Sequence, residues 1–312
     1  MRRCRRSTRS SAGTGERPLP AVKSRPGRSI APYLFIAPAM LGLGLFKLYP
    51  IVEGLRLSFY EVRLIAGRLD FIGLANYAEL AGDPVILKAT VNTLLFNAVV
   101  TPAQVILALG LAVLVNRNGR GIQVFRSLFF IPAVISLVVA SIIWKLMYAP
   151  DSGLINGLLA AAGLPRQTFL TNRSQAMASL MGMVIWKGVG YWMIILLAGL
   201  KEIPEEIREA ATVDGAGPVR RFFTITLPLL SPTLLFVVVA DTVINFLLFV
   251  PVYVMTQGGP SEATTLLMFE VYRNAFVYTR FGYAAAISTV LLLVIVIAVA
   301  LQVRFLRVEF EY

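Results

Sequence analysis

Six apolar stretches, each about as long as a bilayer is thick, set the rhythm of the chain; they lie at about 30–51, 90–115, 126–148, 177–200, 230–254 and 283–305. About 20 apolar residues in a helix cross some 30 Å of hydrocarbon, so each predicts a transmembrane helix. Ala89–Val115 and Phe281–Val303 carry no charge at all, whereas the fourth stretch is interrupted by Lys187 and the fifth by Asp241. The pattern predicts an all-α integral membrane fold of six spans over residues 30–312. Between the spans, residues 52–89 form a long polar and aromatic connection, 149–176 carry the turn signal Pro150-Asp151-Ser152-Gly153, and 256–282 open on Gly258-Gly259-Pro260. Leu266, Phe269, Tyr272 and Phe276 recur at helical spacing, which predicts an amphipathic helix over Glu262–Tyr278 lying along the outer surface.

Composition agrees with that pattern. The 312 residues are 57% hydrophobic and only 15% charged, with a mean hydropathy of +0.74, which excludes an ordinary soluble protein. The net charge of +12 is uneven: nine basic residues and a single acid, Glu16, precede Ser29. Residues 1–29 therefore read as a disordered basic tail beside a membrane, with anionic lipid headgroups rather than nucleic acid as its counter-charge. The apolar part that follows is longer than a secretion-signal core and predicts a retained signal-anchor helix. Lys and Arg number 18 in the segments on the side of the N-terminus and eight on the other, so both termini are expected in the cytoplasm of a multi-pass protein.

Several chemistries are excluded by missing parts. The chain has one cysteine, Cys4, and no histidine, so zinc sites, Ser-His-Asp triads and Cys-His pairs lack their components. No lysine follows a glycine, so there is no Gly-Lys-Ser/Thr to cradle a nucleotide phosphate. No connection holds the paired carboxylates or nucleophile and base of a membrane enzyme.

The connection 201–228, KEIPEEIREAATVDGAGPVRRFFTITLP, is the most structured by its signals. Pro204 with Glu205 and Glu206 starts a helix, Asp214-Gly215 stops it, and Pro218 starts a second helix running into the fifth span. Glu202, Glu205, Glu206 and Glu209 would be repelled by an anionic leaflet, so this acidic knob fits a protein partner better than lipid.

Lys187 and Asp241 lie near the middle of their spans, where a charge costs about 2.5–3.5 kcal/mol on insertion scales. Their opposite signs allow a structural ion pair; alternatively, one or both line a hydrated route and bind a polar solute. Trp186, Tyr191 and Trp192 supply rings that can stack on a sugar, Gly188 and Gly190 leave room beside them, and Asn245 shares a helix face with Asp241.

Glu209-Ala210-Ala211, three residues, Gly215, nine residues, Ile225, one residue, and Leu227-Pro228 together resemble the EAA signature of the permease subunits of binding-protein-dependent ABC importers. The resemblance runs from about Pro32 to the C-terminus. EAATVDGAG, TLPLLSPT and TQGGPSEATTLLMFEVYRNAF are similar to the maltose and glycerol-phosphate subgroup. It implies a type I importer permease fold and a transport subunit, not an enzyme, in the cytoplasmic (inner) membrane. The loop would carry a coupling helix, with Glu209 as the ionic contact, Ala210 and Ala211 as the close-packed face, Asp214 and Gly215 as the turn, and Ile225, Leu227 and Pro228 leading stiffly into span five. The implied partners are a second related permease in a heterodimer, two ABC ATPase subunits and an extracytoplasmic solute-binding protein. This chain would bind no cofactor; ATP and Mg would belong to the ATPase. Solute contacts are implied at Trp186, Gly188, Tyr191 and Asn245, with Lys187, Asp241 and Ile244 at contact positions bearing different side chains from the maltose case. The implied cargo is a sugar or sugar-like solute. The alternatives are a polyol phosphate held by Lys187, or an ion-coupled secondary transporter with Asp241 and Lys187 as relay.

Overall fold

The computed structural model describes residues 31–63, 67–117, 119 and 121–306. The basic tail 1–29 and the last six residues lie outside the described residues. The chain divides after Pro50 into two compact units. The first holds α1 (Ala31–Leu43) and a π-helical turn, Gly44–Leu48; α2 (Tyr49–Leu57) follows across the division, so helix runs on past the expected end at residue 51.

In the second unit a short antiparallel hairpin, β1 (Tyr60–Arg63) and β2 (Arg68–Phe71), pairs Tyr60 with Phe71 and Arg63 with Arg68, and is followed by α3 (Ala75–Gly82). This hairpin is an addition to the all-helical expectation. Helix α4 (Pro84–Val115) begins six residues before the expected second span. Asp83 explains the early start: its Oδ1 accepts from the Val85 and Ile86 backbone N–H groups at 2.8 and 3.4 Å, and Pro84 occupies the first turn. Lys88 is tolerated there because its ammonium reaches out to the Ser261 carbonyl and the Glu262 carboxylate.

The third apolar stretch is two helices, not one. α5 (Ile122–Val134) and α6 (Leu137–Met147) meet at 97°. Pro132 has no N–H to give the helical ladder, and Ile135 and Ser136 take extended ψ angles of 136° and 138°, which ends one helix and starts the next. α7 (Leu154–Ala161) lies in the following connection.

α8 (Ala176–Glu202) is the central element, packing along α4 and against α5. Gly190 makes this possible: a Cβ there would stand 1.8 Å from the Phe129 carbonyl oxygen of α5. One buried cluster joins Val105, Ala108 and Ala112 of α4 to Trp192, Met193, Leu196 and Leu200 of α8. The connection after α8 holds α9 (Glu205–Val213) and α10 (Pro218–Arg221). α10 passes through a π-helical turn, Phe222–Thr226, into α11 (Leu227–Phe246), giving one apolar helix of 29 residues, Pro218–Phe246. It ends eight residues before the expected boundary at 254; helical backbone resumes at Val250 and Pro251 and leads into a further π-helical turn, Val252–Thr256.

The segment expected as a surface helix over 262–278 is shorter and more buried than its pattern suggests. α12 (Leu267–Tyr272) continues as a π-helical turn, Arg273–Val277. Leu266, Leu267 and Phe269 are buried. α4 holds the segment in: the Leu267 N–H donates to Thr93 Oγ1 at 2.9 Å, and the Asn92 amide donates to the carbonyls of Glu262, Ala263 and Thr265. α13 (Phe281–Leu306) closes the unit, with Tyr283, Ile287 and Leu291 against Ile86 and Ala89 of α4.

Candidate functional site

Two places collect the residues marked in the sequence. The first is a cavity of about 220 Å³ between α8 and α11, bounded also by Gln104 of α4 and Ala133 of α5. Lys187, Gly188 and Tyr191 line it from α8, and Asp241, Ile244 and Asn245 from α11. Six of the seven solute contacts implied by the sequence thus share one wall system. Helical spacing accounts for this, since 187, 188 and 191 recur within about one turn, as do 241, 244 and 245.

Its polar atoms are held in a defined network. Asp241 is 1% exposed, and its Oδ1 accepts from Trp192 Nε1 at 2.7 Å while Oδ2, also buried, has no hydrogen-bond partner among the described residues. The Asn245 amide donates to Thr101 Oγ1 at 3.1 Å and to Gln104 Oε1 at 3.2 Å, and Gln104 in turn donates to the Val184 carbonyl at 2.8 Å. Lys187 donates from Nζ to the Ala133 carbonyl at 3.0 Å. That carbonyl belongs to the last turn of α5, which lacks helical partners and carries the negative end of the helix dipole. Among the described residues, Lys187 and Asp241 do not form an ion pair. Tyr191 is 46% exposed and Ile244 is also open, so the cavity has an accessible side. Ammonium, phenol, carboxylate and amide groups around one small apolar space can orient a polyhydroxylated molecule.

The glycines do not supply room as the sequence suggested. The space beside Gly188 is filled by the Gln104 amide, 2.0 Å from where a Cβ would stand, and Gly190 is consumed by contact with α5. Trp186 lies outside the cavity lining and packs on Trp144 at 5.4 Å between ring centroids. Trp192, expected to stack on a sugar, is buried and spends its N–H on Asp241; Gln104 and Ala133 were not assigned there from sequence. An amide within an uncharged span, a feature it shares with Asn92 and Asn97, was the available signal for Gln104; Ala133 gave none, because it acts through its backbone.

The second place is the loop 201–228. α9 ends in two reciprocal backbone bonds, Ala216 N–H to the Ala211 carbonyl at 3.0 Å and Gly215 N–H to the Thr212 carbonyl at 3.1 Å, with Gly215 at φ +75°. This Schellman arrangement needs the left-handed residue that glycine supplies. Arg221 ties the two helices together by donating to Thr212 Oγ1 at 2.6 Å. Glu209 lines a polar groove of about 750 Å³ with Asn116, Lys201, Glu205 and Arg221. Ala210 and Asp214 are exposed, while Ala211 is buried within the chain itself, so of the alanine pair only Ala210 faces outward. Ile225, Leu227 and Pro228 are half-buried at the start of α11. Val213, missed in the sequence, is 88% exposed one turn from Glu209.

Residues 104–307 match the family described as the binding-protein-dependent transport system inner membrane component. The chain belongs to that family. It is 36% identical over 282 residues to the probable ABC transporter permease protein YurN of Bacillus subtilis, covering 89% of this chain and 96% of that one. It is 35% identical over 292 residues to the sn-glycerol-3-phosphate transport system permease protein UgpA of Yersinia pestis, covering 93% and 99%. A chain in the crystal structure of a bacterial alginate ABC transporter, bound to an alginate pentasaccharide-loaded periplasmic protein, superposes with a TM-score of 0.74 at 22% identity, covering 90% of this chain and 95% of that one. At that identity the likeness speaks for the fold. This chain is therefore a multi-pass permease subunit of an ABC importer, the membrane component rather than the catalytic one.

Proposed function

We propose that this permease passes a sugar or sugar-like solute into the cytoplasm through the cavity between α8 and α11, driven by a separate ATPase that grips the loop 201–228 through Glu209. The observation that carries the solute half is the gathering of Lys187, Gly188, Tyr191, Asp241, Ile244 and Asn245 around one space. The ATPase half is supported by an exposed acidic helix with a rigid glycine stop and a 29-residue helix joining it to the cavity wall. In this reading ATP and Mg reside on two ATPase subunits and this chain binds no cofactor. A second, related permease completes the pathway as a heterodimer, and an extracytoplasmic protein delivers the solute. Relatives named for glycerol-3-phosphate transport support a small sugar-like cargo, and a structural neighbour solved with a pentasaccharide-loaded periplasmic protein supports delivery by such a protein. The chain sits in the inner membrane with both termini and the loop cytoplasmic.

Uptake by cells producing the whole importer tests the reading. Tyr191→Ala is expected to cut uptake without changing the amount of permease in the membrane; Asn245→Ala is expected to cut it as well, compared at equal amounts of permease because that side chain is also bonded to Thr101 and Gln104. A cysteine-directed tag near residue 210 that reacts only from outside the cell would overturn it. Uptake persisting in ATP-depleted cells with an imposed ion gradient would favour the ion-coupled alternative; Lys187 resting on Ala133 and Asp241 on Trp192 leaves that relay unassembled.

A further inference from the structure

Lys187 stands near the middle of α8, eleven residues after Ala176, and faces the cavity. Its ammonium has three hydrogens to donate, and its one recorded bond is to the Ala133 carbonyl at 3.0 Å. Among the described residues no carboxylate lies within ion-pairing distance of it. The partner that the sequence suggested, Asp241, is turned to the Trp192 indole and is almost wholly buried, whereas Lys187 is half-buried. A cation within a bilayer is otherwise found paired. Here the end of α5 supplies partial negative charge that keeps the ammonium in place, and the rest of its bonding capacity opens onto the space a solute would enter.

The cavity thus presents a cation without an accessible counter-charge. The Asp241 carboxylate is buried against the Trp192 indole, and its second oxygen is shut off from the cavity surface. Lys187 is braced by a helix end, with donors to spare. A neutral sugar would leave the cation without a counter-charge, whereas an acid group on the solute would supply one through charge-assisted bonds to the ammonium.

We infer that the solute of this permease carries an acid group, a phosphate ester or a carboxylate, and that Lys187 is the residue that selects for it. The inference rests on the cavity being the solute site. Its test uses cells producing the whole importer and radiolabelled glycerol 3-phosphate and galacturonate as acidic probes, with glycerol and maltose as neutral ones. The two acidic probes separate a phosphate from a carboxylate. Uptake of an acidic probe is expected, with KM raised at least tenfold by Lys187→Met. Lys187→Arg, which keeps both the charge and a donor for Ala133, is expected to restore KM to within a few-fold of the parent, at equal amounts of permease in the membrane.

Uptake confined to the neutral probes would overturn the inference, and so would acidic uptake indifferent to Lys187→Met. The first of these is the result expected if a carboxylate of the second permease neutralises Lys187. Acidic uptake that ignores Lys187→Met but falls with Asn245→Ala would remove the charge selection alone and leave the cavity reading standing. Acidic uptake that ignores Lys187→Met, Tyr191→Ala and Asn245→Ala together would bring down both.

Discussion

The cavity and the loop 201–228 use polar residues in opposite ways. In the cavity the amides and the carboxylate are turned on one another: Asp241 on Trp192, Asn245 on Thr101 and Gln104, Gln104 on Val184. In the loop the helix is anchored by its backbone and by Arg221, and most of its acidic side chains face outward. A side chain bonded within its own chain contributes to the stability of that chain, whereas an exposed one matters only when something else arrives. The two regions should therefore answer differently to substitution.

The largest effect that would sharpen this contrast is Gly190→Val. With a Cβ driven against the Phe129 carbonyl, α8 and α5 must separate; thermal unfolding in detergent is expected to show a large loss of stability, and a normal midpoint would break the argument. Next comes Glu209→Lys, expected to lower uptake at least tenfold and to reduce co-purification with the ATPase while leaving the unfolding midpoint unchanged. Trp192→Phe leaves the buried Asp241 carboxylate without its donor and should cost about 1–3 kcal/mol in the chain alone. Val213→Ser should do nothing to the chain, since the side chain is 88% exposed, but should weaken ATPase association a few-fold in a pull-down titration.

The smallest effect concerns Glu270, outside the spans. Burial pushes its carboxyl above the ordinary 4.5, against the opposing pull of the Thr265 hydroxyl and Arg273. Because the folded-state value is the higher one, this group's contribution to stability is complete below 4.5 and is lost as pH rises through the raised value. Glu270→Gln should flatten that part of the pH–stability profile, measured as the difference between the two proteins.

Much of this organisation could be read from residue order, and the exceptions share a cause. The helices of the loop were legible because Pro204, Gly215 and Pro218 act locally. The clustering of the cavity residues was legible because each set lies within one turn of one helix. The 97° bend between α5 and α6 was hidden because Ile135 and Ser136 are as apolar or small as their neighbours, and hydropathy does not register a change of backbone angle. The burial of Leu266 and Leu267 was hidden because it depends on Asn92 and Thr93, some 170 residues earlier. The roles of Gly188 and Gly190 were misjudged for a related reason: an absent side chain looks like free volume until the neighbouring helix is known.

The π-helical turn at Phe222–Thr226 has a further consequence. Such a turn holds one residue more than the α-helical path around it, so it acts as a phase shift between the segment that begins at Pro218 and the one that carries Asp241 and Asn245. Deleting a single residue from that turn would let the ladder close regularly and would rotate one segment relative to the other by about 100°. The bearing of Arg221 and the adjoining loop relative to the cavity wall is thus set by a count of residues as much as by their kinds.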